Sequence, residues 1–161
     1  MLFEHLEEKE AVKKASLIEK NGYDFYAHLA ERAEDRDIKV TLKKLASEEK
    51  RHMKVLEDKY YPEAGFGDLI TNEEIDIEEY VNKTMDEKVF TLNLDMEKLV
   101  HTIDTVHKAI LLAMHAERYT AEYFEGMAEK TSTEDGKRIY KELADEERKH
   151  ARELEVLLES K

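Results

Sequence analysis

Glu49-Lys50-Arg51-His52 and Glu147-Arg148-Lys149-His150 are two copies of one four-residue spacing, and the chain is organised around them. On a helix, residues three apart project from nearly the same face, so each copy presents a carboxylate and an imidazole together. Such a pair can ligate a metal ion. One copy would carry little information in a chain with 39 acidic residues, because charged helices produce the spacing by chance.

The surroundings of the two copies match. Sliding the chain by 98 positions superposes Glu19 on Glu117, Glu49 on Glu147 and His52 on His150 without a gap. Between residues 15–56 and 113–154, 13 of 42 pairs are identical, among them Ala15, Ala30, Leu45, Ala46, Glu48 and Leu56, and Tyr26 meets Phe124. Composition alone would give roughly three or four identities, so this is an internal repeat. Two hairpins that each bury an apolar stripe share Leu and Ala positions for that reason alone. The shared acids need another cause, since core positions hold Glu or His when these are paired or coordinating.

Composition sets the class. With 161 residues the chain suffices for one domain, and with five Gly, one Pro and abundant Glu, Lys, Leu and Ala it is expected to be all-α. The absence of cysteine excludes disulfides, thiolate nucleophiles, zinc ribbons and iron–sulfur clusters, so any metal must be held by oxygen and nitrogen. A formal net charge of −13 argues against nucleic acid and anionic membrane surfaces as partners. The start, Met1-Leu2-Phe3-Glu4-His5, lacks the layout of a signal peptide, and no window is apolar enough to span a bilayer. A soluble, cytoplasmic protein is expected.

Helical periodicity predicts four long helices in a single domain. The first runs from about Phe3 to Glu34 on Ala11, Ala15, Ile18, Gly22, Phe25, Tyr26, Leu29 and Ala33, with Glu19 inside the stripe. The second, capped by Asp35 or Asp37, runs to about Tyr60 on Ile38, Leu42, Leu45, Ala46, Met53 and Leu56. Residues 61–93 contain Pro62, Gly65 and Gly67, then a short amphipathic helix on Ile77, Tyr80, Val81, Thr84 and Met85, and an ambiguous run from Val89 to Leu94. They read as a long crossover. A third helix, capped by Asn93 or Asp95, is predicted to continue without a break to about Lys130, with Glu117 in its stripe. A fourth follows Thr131-Ser132-Thr133 and ends the second hairpin, about 94–159.

Pairing the hairpins brings Glu19, Glu49, His52, Glu117, Glu147 and His150 to the middle of a four-helix bundle. Two divalent ions would offset the four carboxylate charges. Each would take one imidazole, with Glu49 and Glu147 placed to bridge and Glu19 and Glu117 terminal. Mixed carboxylate and imidazole ligation suits iron or manganese, and zinc can bind adventitiously.

These six residues, with the stretches Ala15 to Tyr26, Leu45 to His52, Ala113 to Phe124 and Leu143 to His150, resemble the ferritin-like di-iron carboxylate proteins and, within them, rubrerythrin-type domains. The resemblance covers residues 10–60 and 98–158. It implies a ferritin-like bundle with a two-iron centre and no haem. It also implies oxidoreductase activity on hydrogen peroxide or dioxygen, while the exposed crossover and long helix faces lead to the expectation of a homo-oligomer, a dimer. The sequence departs from the family in lacking the cysteine-rich electron-transfer module, so an external electron donor is implied. It also has Thr120 where an additional glutamate is typical. Bacterioferritins share the six-residue pattern, which makes ferroxidase activity with iron storage the alternative. The eleven residues after His150 leave little room for the extra short helix of ferritin subunits. A metal-free helical interaction module is the third reading.

Tyr23, Tyr26, Tyr119 and Tyr123 are candidates to hydrogen-bond a ligand carboxylate, or are amphipathic core residues. His5, His28, His101, His107 and His115 have no partner at ligand spacing and are assigned surface or supporting roles. Lys50, Arg51, Arg148 and Lys149 must face outward if the motif residues face inward. Gly22, costing about 1 kcal/mol mid-helix relative to Ala, either makes room beside Glu19 or is simply tolerated.

Overall fold

A computed structural model of the chain describes residues 2–60 and 74–161, with side chains described from residue 11 onward except 57, 59 and 60. The first part of the crossover, including Pro62, Gly65 and Gly67, and the side chain of His5 lie outside the described residues. Helix α1 (Leu2–Arg32) and α2 (Arg36–Tyr60) form one hairpin, and α5 (Val106–Lys130) and α6 (Glu134–Ser160) form the other. Between them lie α3 (Ile77–Glu79), which runs on as a π turn over Tyr80–Thr84, a 3-10 turn over Val89–Thr91, and α4 (Met96–Thr102). Among the described residues every regular element is helical, and the architecture is the all-α bundle with a crossover that the periodicity predicts.

Polar caps set the helix starts. Asp35 Oδ1 accepts from the backbone N–H groups of Asp37 and Ile38 at 2.9 and 3.1 Å, which starts α2. Thr133 Oγ1 accepts from Gly136 N at 2.9 Å at the start of α6. Each satisfies an N–H that has no partner inside its helix. The inward stripes are buried as predicted, with Phe25, Leu29, Leu45, Leu56, Phe124 and Leu154 at 0% exposure. Burial of each such side chain contributes about 1.5–3 kcal/mol. Ala11 and Met53 are only half-buried, and in the crossover Val81 and Met85 are half-buried and Thr84 is exposed.

Direction follows from the cross-helix pairs. Lys44 meets Glu153 at 2.9 Å and Arg51 approaches Glu146 at 3.8 Å, so α2 rises as α6 descends. Arg118 with Glu155 and Arg148 with Glu125 show the same opposition of α5 and α6. These exposed pairs report register more than they stabilise, each being worth under about 1 kcal/mol.

The expected continuous third helix is broken. Asp95 caps α4 by accepting from Lys98 N at 3.1 Å, but α4 stops at Thr102, and Thr105 caps a new helix by accepting from Lys108 N at 3.1 Å. The break persists because Arg32 of α1 satisfies the freed carbonyls: its guanidinium donates to Val100 O, Ile103 O and Asp104 O, each at 2.6 Å. Ile103 is buried at the break, as it would be in a continuous helix, so apolar periodicity does not reveal the stop.

The crossover is clipped to α1. Asn21 Nδ2 donates to Phe90 O and Leu92 O, both at 2.9 Å, and Lys14 Nζ donates to Thr91 O. Phe90 then packs edge-on against Phe25 and Tyr26, with centroids 5.4 and 6.0 Å away.

Candidate metal centre

All six residues picked out by the repeat converge between the four long helices. Glu19, Glu117 and His150 are 0% exposed, Glu49 and Glu147 1% and His52 3%. Full burial of carboxylates is rare unless they are paired or coordinating. Each of Glu49, His52, Glu147 and His150 faces inward because the apolar positions before and after it, Leu45 and Leu56 on α2, Leu143 and Leu154 on α6, orient that helix face.

The residues form two overlapping groups whose potential ligand atoms lie within 4.8 Å of one another. One is Glu19, Glu49, His52 and Glu147, and the other is Glu49, Glu117, Glu147 and His150. Glu49 and Glu147 belong to both. His52 Nδ1 lies 3.1 Å from Glu19 Oε2 and 3.4 Å from Glu147 Oε1. His150 Nδ1 lies 2.9 Å from Glu49 Oε1 and 3.6 Å from Glu117 Oε2. The two imidazoles stack at 5.8 Å, 16° from parallel, and both turn Nδ1 toward the carboxylates.

Crowding buried carboxyl groups resists ionisation. Burial first, then the neighbouring carboxylates, holds Glu19, Glu49 and Glu117 well above the usual carboxylate range. Glu147 is the exception. Burial and the Glu49 charge push it up, but hydrogen bonds with Glu117, His150 and His52 outweigh them and hold it below its ordinary value. Burial would lower both imidazoles, yet hydrogen bonds and charge from the surrounding carboxylates raise His52 and, more strongly, His150. The metal-free cluster therefore favours the protonated forms of these groups.

Among the described residues three buried carboxylate oxygens, Glu19 Oε1, Glu117 Oε2 and Glu147 Oε1, have no hydrogen-bond partner, and neither has the His52 Nε2 nitrogen. Unmet acceptors in a buried site fit a cation pair, because an unpaired buried acceptor costs about 1–3 kcal/mol. The donor set, four carboxylates and two imidazoles, suits divalent iron or manganese.

Two supporting residues lie beyond the six, Tyr26 and Glu48. The Tyr26 hydroxyl donates to Glu117 Oε1 at 2.6 Å, which makes it the one of the four candidate tyrosines seen to reach a cluster carboxylate among the described residues. Tyr23 instead lies beneath the Lys50 ammonium, and Tyr123 packs edge-on against Phe124. Glu48 Oε2 contacts His150 Nε2 at 2.6 Å, while Glu146 Oε2 stays 3.9 Å from His52 Nε2. Periodicity gives no reason to select Glu48 and Glu146; their identity across the repeat, immediately before each inward glutamate, was the available signal.

Gly22 makes room for Glu49, not for Glu19. A Cβ at Gly22 would lie 3.2 Å from Glu49 Cδ and 3.3 Å from Oε2. Glu19 shares a helix with Gly22, whereas Glu49 reaches across from α2, a contact that depends on how the two helices pack. Thr120 is buried, its hydroxyl donating to Glu117 O at 3.1 Å, and Glu122 is exposed. His28 is half-buried 3.6 Å from Glu97, and His101, His107 and His115 are exposed, all clear of the cluster. Lys50, Arg51 and Lys149 face solvent, and Arg148 is half-buried beside Glu125.

The comparisons with known proteins bear on the fold and the family. A hypothetical protein from Pyrococcus furiosus has a similar fold, with a TM-score of 0.65, 24% identity, and coverage of 94% of this chain and 87% of that one. The comparison with curated proteins gives no match. The family model described as Rubrerythrin matches residues 10–158, nearly the whole chain. With its helical bundle and its buried carboxylate and imidazole cluster, the chain belongs to the rubrerythrin family of the ferritin-like di-iron superfamily.

Proposed function

We propose that this chain is a non-haem di-iron oxidoreductase that reduces hydrogen peroxide or dioxygen with electrons from an external donor. The observation that carries the reading is the sharing of Glu49 and Glu147 between two groups that each add one further glutamate and one histidine. Glu49 and Glu147 would bridge two ions, Glu19 and Glu117 would each hold one, and His52 and His150 would ligate through Nδ1. When bound, the iron pair supplies two electrons by cycling between ferrous and ferric states.

The chain's own residues prepare that site. The α1 and α5 stripes exclude water around Glu19 and Glu117. Tyr26 fixes one oxygen of Glu117 and leaves Oε2 directed inward. Glu48, by accepting from His150 Nε2–H, leaves the Nδ1 lone pair available for a metal. Reduction of one peroxide to two waters consumes two electrons and two protons, and in a chain without cysteine the electrons come from a separate donor. The protein is proposed to act in the cytoplasm as a homodimer.

Iron oxidation and storage is the second reading, favoured by the one observation that Thr120, not glutamate, fills the buried place beside Glu117. Anaerobic ferrous titration should reach two irons per chain, followed by donor-dependent loss of added peroxide. Fewer than two irons, unaffected by Glu49→Ala or Glu147→Ala, would remove both readings. Two irons with no peroxide turnover, in a large hollow assembly by sedimentation, would replace the first with the second.

A further inference from the structure

The repeat makes the two halves of the cluster equivalent in sequence at the six inward residues, yet the residues that support them are not equivalent. Two differences point the same way. Tyr26 holds Glu117 Oε1 at 2.6 Å, whereas the repeat-related residue is Phe124, which has no hydroxyl, and among the described residues no tyrosine hydroxyl is seen to hold Glu19. Glu48 holds His150 Nε2 at 2.6 Å, whereas its counterpart Glu146 stands 3.9 Å from His52 Nε2, which is buried and, among the described residues, has no hydrogen-bond partner. Glu146 is divided between that imidazole and Arg51 at 3.8 Å, too far from either for a hydrogen bond.

A ligand held by a second group is already oriented, and an imidazole that donates to a carboxylate is a stronger donor at its other nitrogen. A ligand without such support must be ordered by the metal itself, which lowers affinity. Resting on the di-metal reading above, we infer that the two metal positions are unequal: the Glu117–His150 position takes the first cation, and the Glu19–His52 position takes the second and exchanges it more readily. Tyr26 and Glu48 are the positioning residues that create the difference, and both positions share Glu49 and Glu147.

Manganous ion is a suitable probe, because the free ion can be counted by electron paramagnetic resonance as metal-depleted full-length protein is titrated. Wild type should bind two ions in steps separated by about 10–100-fold, the usual effect of an outer hydrogen-bond partner on metal affinity. At one equivalent, anomalous diffraction should place the ion between Glu117 and His150. Tyr26→Phe should weaken the first step by about 10-fold or more without moving the second, and Phe124→Tyr should tighten the second.

Equal steps, a first ion found between Glu19 and His52, or a Tyr26→Phe variant that moves neither step would overturn the inference while leaving a two-metal site intact. If Tyr26→Phe does not fold, Glu48→Ala at a position that is not fully buried tests the same prediction through His150, and an unchanged first step there counts against it. Absence of any bound ion would overturn the di-metal reading itself.

Discussion

At the scale of single residues, the site depends on atoms that the ligand pattern does not mention. Gly22 leaves 3.2 Å between a would-be Cβ and Glu49 Cδ, and Glu49 cannot easily retreat because its Oε1 lies 2.9 Å from His150 Nδ1. Gly22→Ala gains about 1 kcal/mol of helix propensity, which the contact offsets in part. Thermal melting of the metal-free variant should therefore stay within a few degrees of wild type, while manganese affinity drops about 10-fold or more as a displaced ligand predicts. Unchanged affinity would show that Glu49 accommodates the methyl group.

The protons held by the cluster give a second residue-scale prediction. Glu19, Glu49 and Glu117 are raised, so above about pH 4.3, where unfolded carboxyl groups have ionised, the folded protein still binds their protons. His52 and His150 are raised too, so the same holds above about pH 6.5. More protons on the folded state means that metal-free stability falls as pH rises from about 5 to about 8. Glu147 acts in the opposite sense, but at acid pH, below its ordinary range. Metal replaces these protons, so metal affinity should rise across the window and the slope of stability should flatten. Melting temperature against pH, with EDTA and with manganese, checks both; a metal-free protein that grows more stable toward pH 8 would contradict the assignment.

At the scale of elements, side chains from α1 decide what periodicity leaves open. Arg32 gathers the carbonyls of Val100, Ile103 and Asp104 and so stabilises the break between α4 and α5. Arg32→Ala should cost about 2–3 kcal/mol, because hydrogen bonds from a charged donor are each worth about 1.5–3 and three carbonyls lose theirs together, with water restoring part. Urea denaturation should show a lower midpoint at nearly unchanged slope. A midpoint equal to wild type would mean that the break is stable without the guanidinium. Asn21 does comparable work for the crossover, whose Phe90 in turn packs against the ring of Tyr26.

At the scale of the molecule, four buried carboxyl groups make the metal-free fold a compromise that the proposed cations would relieve. Each bound ion at a thousand times its Kd should add about 4 kcal/mol of stability by mass action. Chelation should therefore lower the melting temperature of loaded protein by ten degrees or more, reversibly, and manganese should restore it. Equal melting temperatures with and without chelator would mean that no ion is held. Among the described residues no helix is long and apolar enough to cross a membrane. Sedimentation separates the proposed dimer from a storage cage.

Most of the fold was legible because helix formation and burial are written locally: a stripe every three or four residues, an Asp or Thr before it, two matched hairpins. The six inward residues were legible for the same reason, since three positions in each half break an apolar stripe at the same places. The repeat, the helical class and the candidate ligand set are thus properties of the sequence by itself. The tertiary structure alone decided that the third helix breaks before Thr105, that Gly22 yields to Glu49, that Tyr26 serves Glu117 and that Glu48 serves His150 while Glu146 misses His52. Each of these joins residues distant in sequence across a helix interface, where differences of about 1 Å separate a hydrogen bond from none, and no local pattern encodes that distance.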